Sequence, residues 1–132
     1  MPKATQLNLT LDNRTGELAR LCRDLAHGGV NLLALCTVER EGASGLVRLL
    51  VAKRDLAEKE LTKAGYSFFA EEVIFVELKH RPGTLAKQVE KLADKSIDIR
   101  YAYATANAKA QTTAVVIAVA EQDLDRALKL LG

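Results

Sequence analysis

The sequence predicts an α+β fold built twice: two βαββαβ modules within 132 residues, packed side by side, the second lacking its last strand. Three observations lead there. The phrase "DNRTGEL" at 12–18 returns as "KHRPGTL" at 79–85, so Arg14 and Arg81, Gly16 and Gly83, and Leu18 and Leu85 each stand 67 positions apart. Overlaid at that offset, 11–26 and 78–93 share Leu, Arg, Gly, Leu, Ala, Leu and Ala, the mark of a duplicated supersecondary unit. The composition, 48% hydrophobic and 27% charged, supports a packed core rather than a disordered chain.

The elements follow in order. Leu7, Leu9 and Leu11 alternate with Gln6, Asn8 and Thr10, the period of a half-buried strand. After the loop at Asn13–Gly16, Leu18, Leu21, Cys22 and Leu25 fall on one helix face, and Gly28-Gly29 stops that helix. "VNLLALCTVE" (30–39) and "GLVRLLVA" (45–52) read as strands around the turn "REGAS". "RDLAEKELTKAG" (54–65) is a mostly charged helix, and "YSFFAEE" (66–72) returns as a strand. The pattern then restarts. "VIFVELK" (73–79) is a strand, and Leu85, Val89 and Leu92 mark a helix face. "IDIRYAYAT" (97–105) and "TTAVVIAVA" (112–120) are strands around "ANAKAQ", and Leu124, Ala127, Leu128 and Leu131 fit a final helix. No Pro/Gly/Ser linker separates the halves, so the modules are drawn at 1–72 and 73–132, fused rather than strung together. Gly132 is the counterpart of Gly65, and nothing answers the closing strand at 66–71. An open, apolar edge at 73–79 is therefore expected, of the sort that proteins cover or pair.

The bulk properties exclude several functions. With 19 basic and 17 acidic side chains the net charge is only +2, which leaves no electrostatic footprint for nucleic acid. No apolar run reaches the roughly 18–20 residues that span a bilayer. "MPKATQLNLT" has no long apolar stretch after its lysine, so no secretory signal and a cytoplasmic location are expected. Cys22 and Cys36 lack CxxC spacing and sit in apolar patterns, which predicts reduced, buried thiols. With His27 and His80 they form no zinc spacing, so neither a metal nor a cofactor is expected. Catalysis is not expected either: there is no nucleophile–base–orienter set, P-loop or GxGxxG, and the thiols lack an activating neighbour. The βαββαβ order is the ferredoxin-like arrangement, which hosts many functions. An RNA-recognition module would need stacking aromatics where "LVRLLVA" and "TAVVIAVA" have none.

A hydrophobic strand, then (D/N)-R-x-G-x-L opening a helix, then a Val-Asn type step into a second strand, resembles the ACT domain of amino-acid-sensing proteins. "NRTGELARLCRDLAHGGVNLLAL" (13–35) and "HRPGTLAKQVEKLADKSIDIRYAYA" (80–104) carry the likeness, and nearly the whole chain resembles a stand-alone tandem pair. The resemblance implies a non-catalytic, allosteric regulator that forms a homodimer or higher homo-oligomer. Such domains pair through their second strands and hold a small amino acid in the seam, against this loop and the partner's second strand. Carried onto this sequence, the ligand-binding residues are Asn13, Arg14, Gly16, Glu17 and Leu18, with Asn31 and Leu32, in the first repeat. In the second they are His80, Arg81, Pro82, Gly83, Thr84 and Leu85, with Asp98, Ile99 and Tyr101. Asn13 and His80 stand where the family often has Asp, and Thr15 where it usually has Pro.

The loop chemistry suits such a ligand. Gly lets backbone approach a ligand closely, and Pro82 is expected to preset the first helical turn. The unpaired N–H groups of that turn and the positive end of the dipole receive a carboxylate. Bland readings stand beside this one: turn glycines, core leucines, solvated arginines, strand-packing tyrosines, and turn chemistry at Asn31 and Asp98. The competing function is a ligand-free scaffold that recruits another chain by strand addition at the 73–79 edge.

Overall fold

In the computed structural model, the structure describes residues 3–12, 14–40, 42, 44–105, 109 and 111–131. The elements run β1 (Lys3–Asp12), α1 (Glu17–His27), β2 (Leu32–Glu39), β3 (Ser44–Val51), α2 (Arg54–Lys63) and β4 (Phe68–Lys79). They continue with α3 (Thr84–Asp94), β5 (Ile99–Thr105), β6 (Thr112–Val119), a 3-10 turn (Glu121–Asp123) and α4 (Leu124–Leu131). The hydrogen-bonded strand order is β2-β3-β1-β4-β6-β5. The fold is α+β in two βαββαβ-like modules. The chain divides into two compact units, Thr5–Glu71 and residues 72–131 with Lys3 and Ala4.

In the unit over Thr5–Glu71, the register Leu7↔Leu49 and Leu9↔Val47 sets one face of β1 and β3 against the helices. Leu21 and Leu25, four apart on α1, and Ala57 and Leu61, four apart on α2, close over that face. Each fully buried leucine contributes about 1.5–3 kcal/mol. In the other unit, Ile74, Val76 and Leu78 of β4 and Val115, Ile117 and Val119 of β6 lie beneath Leu92, Leu124, Ala127 and Leu128. Leu7, Leu9, Leu11, Leu25, Val30 and Leu61 thus have apolar counterparts 67 residues on. Leu21 does not: Gln88 takes its place, with Oε1 buried and without a hydrogen-bond partner among the described residues.

Four expectations are corrected. The strands expected at 66–72 and 73–79 are one strand, β4, because "FFAEEVIFVELK" contains no Gly, Pro, Asn or Asp to break it. On one side residues 74–79 ladder with β6. Lys3 and Ala4, at the start of β1, belong to the same unit as 72–79. β2 and β5 occupy the outer positions of the strand order. Second, β1 is buried on both faces over residues 6–9: Gln6 and Asn8 are 0% and 2% exposed. Gln6 Nε2 donates to Asn8 Oδ1 at 2.8 Å and Asn8 Nδ2 donates to Glu71 Oε1 at 2.9 Å, satisfying polar groups that burial would otherwise penalise. Third, Cys22 and Cys36 are free but only half-buried, since Cys36 lies on an outer strand and Cys22 at the flank of the α1 core face. Fourth, Pro82 precedes α3 rather than opening it. The hairpin residues Glu41, Ala43, 106–108 and 110 lie outside the described residues.

The duplication extends to an irregularity. β2 steps from Leu32↔Val51 to Ala34↔Leu50, and β5 from Ile99↔Val119 to Tyr101↔Ala118, so each outer strand carries a β-bulge at the same repeat position.

Candidate functional site

Each strand-to-helix loop is one four-residue turn. Glu17 N–H donates to Arg14 O and Thr84 N–H to Arg81 O, both at 3.3 Å. The third residues, Gly16 and Gly83, have φ of 91° and 88° with ψ near zero, the type II geometry that excludes most side chains. Pro82 is therefore the second residue of a turn, where its fixed φ is favoured. Space is not what demands these glycines, because a Cβ on either would meet nothing within 4 Å. Both also serve as N-caps with no side-chain capping bond, so beyond the Glu17 and Thr84 amides already used in the turns, the first turns of α1 and α3 have no side-chain cap at the positive end of the dipole.

Above the first turn lies a cleft of about 380 Å³, lined by Leu11, Asp12, Arg14, Glu17, Leu18, Thr37, Val38, Glu39, Gly45, Leu46 and Val47. Register explains why it opens here. Leu11 and Glu39 both pair with Gly45, so one row of the ladder faces the start of α1 with no side chain at its centre. Leu18, 39% exposed, and Val47, buried, form apolar walls. Arg14 is already engaged: its Nη2 donates to Asp12 Oδ2 at 3.0 Å and to Glu17 Oε1 at 3.1 Å.

The second loop repeats the backbone and alters everything around it. Lys79 stands where Asp12 does, Thr84 where Glu17 does, and Thr113 pairs with Leu78 where Gly45 pairs with Leu11. The Thr113 side chain fills its row and donates from Oγ1 to the Thr105 carbonyl. No acidic residue lies in the first turn of α3.

The structure brings Arg14, Glu17 and Leu18 together in the cleft, over the turn that Gly16 makes. Asn13 lies outside the described residues. Asn31 and Leu32 are not part of the cleft: Leu32 pairs with Val51, at the opposite end of β2 from Glu39, roughly 20 Å away at strand rise. His80, Arg81, Pro82, Gly83, Thr84 and Leu85 surround the second turn, with His80 N–H donating to Gln111 O at 2.8 Å. Asp98, Ile99 and Tyr101 sit at the far end of β5 from that turn. Sequence reasoning missed Leu11, Asp12, Thr37, Val38, Glu39, Gly45, Leu46 and Val47. Asp12 opens the repeated phrase itself, but Gly45 reads as hairpin glycine until the register is known. Among the described residues no group of three or more His, Cys, Asp or Glu is placed to hold a metal, and no helix is long and apolar enough to cross a membrane.

Comparison with known proteins adds three findings. A family model described as an ACT domain pair matches residues 3–127. The crystal structure of protein BT0572 from Bacteroides thetaiotaomicron is 30% identical, with a TM-score of 0.88 over 98% of this chain and 87% of that one. Regulatory subunits of aspartate kinase from Thermus thermophilus and Thermus flavus share the fold at 17% and 16% identity, with TM-scores of 0.67 and 0.63, covering 99% of this chain and 91% of each. No curated protein matches the sequence.

Proposed function

We propose, on the premise that this chain belongs to the ACT domain pair family, that it is a non-catalytic cytoplasmic regulator binding a small amino acid at the first loop. The observation that carries the reading is the cleft over Gly45, facing the open N-terminus of α1. A carboxylate there meets first-turn amides and the helix dipole. An α-ammonium meets Asp12, Glu17 or Glu39, and the apolar walls take the side chain. Asn13, Arg14, Gly16, Glu17 and Leu18 are the contact residues on this side.

The seam is completed by a second copy. β2 is an outer strand, yet Leu33, Leu35 and Val38 on it are 50%, 36% and 37% exposed. Antiparallel pairing of two β2 strands about a two-fold sets the start of one beside the end of the other. That brings Asn31 and Leu32 of the partner subunit toward the cleft. His80 to Leu85 form the corresponding loop in the second of the modules drawn at 1–72 and 73–132, and Asp98, Ile99 and Tyr101 take the place that Asn31 and Leu32 have in the first. A ligand bridging two copies favours the assembled state by its differential affinity, which is the regulatory signal.

Thermal unfolding against the twenty amino acids at millimolar concentration tests this. A ligand at 100 times its Kd adds about 2.7 kcal/mol and raises the midpoint by several degrees. Gly45→Thr, which installs the residue of the second unit, is expected to abolish the shift while keeping the fold. No shift with any amino acid refutes the reading.

A further inference from the structure

We draw no further inference here: the strongest candidate, the partly exposed apolar row across the strands of the Thr5–Glu71 unit in which Val38 and Thr10 both pair with Leu46 and Phe69 stands 58% exposed beside Thr10, carries nothing because nothing in the structure shows what covers it.

Discussion

The turn at Arg14–Glu17 and the turn at Arg81–Thr84 have backbones that agree within a few degrees at the glycine and bond for bond in the hydrogen bonds that close them. Around that shared backbone the first is acidic over a bare floor, and the second is basic over a filled one. The difference teaches where a duplicated fold is constrained. A left-handed residue between strand and helix admits little besides glycine, so both copies keep it. Nothing in the turn fixes the sign of the charge beside it or the residue across the ladder, so those diverge.

The comparison is broken most forcefully through the cores. Leu25→Ala and Leu92→Ala, which truncate equivalent side chains 1% and 0% exposed, are each expected to cost about 2–5 kcal/mol. Urea unfolding monitored by circular dichroism measures both; a loss below 1 kcal/mol at either position would deny that the two cores are packed alike.

Next in size are the turn glycines. Gly16→Ala and Gly83→Ala should each cost about 1–2 kcal/mol, because a Cβ in the left-handed region is strained even where space is open. Equal losses sharpen the claim that the backbone is the shared feature, and unequal ones would trace the cost to the differing surroundings instead.

Gln88→Leu runs in the stabilising direction. It restores the residue type at Leu21, removes a buried oxygen without a partner and should add about 1–2 kcal/mol, read as a higher urea midpoint at unchanged m-value. A lower midpoint would mean that Gln88 has a partner in solution.

Smaller still is the charge difference. Arg14 is 68% exposed, so Arg14→Ala is expected to cost less than about 1 kcal/mol, an effect that high salt removes. Arg81→Ala, lacking both carboxylates, should show no such salt dependence.

The last effect appears only at alkaline pH. Burial pushes the Tyr66 phenol above its ordinary value of 10.0, helped by the hydrogen bond it donates to Asp24 and by that residue's charge. The folded state holds this proton more tightly than the unfolded chain. The stabilisation is therefore complete below pH 10.0 and lost as pH rises through the folded-state value. Tyr66→Phe should flatten that alkaline decline; an unchanged slope places the titration elsewhere. In the second unit Lys91 is the counterpart of Asp24, so the pairing has no equivalent there.

Much of this was legible in the residues. The alternation of Leu7, Leu9 and Leu11 and the spacing of Leu21 and Leu25 identify one strand and one helix because side-chain periodicity is a local property. The glycines at 16 and 83 identify both turns for the same reason. Arg14, Glu17 and Leu18 follow from the loop itself. Gln6 and Asn8 were not legible as buried, because whether the second face of a strand meets solvent depends on what lies over it.

The sequence by itself determined the duplication, the element order and the two left-handed turns, since each is written in residues close together along the chain. Only the tertiary structure decided that 68–79 is one uninterrupted strand, that β2 and β5 are outermost, and that Gly45 lies between Leu11 and Glu39. Those facts depend on strand pairing between residues up to tens of positions apart. Pairing register is set by how whole faces pack, and a shift of one residue would turn every side chain to the other face.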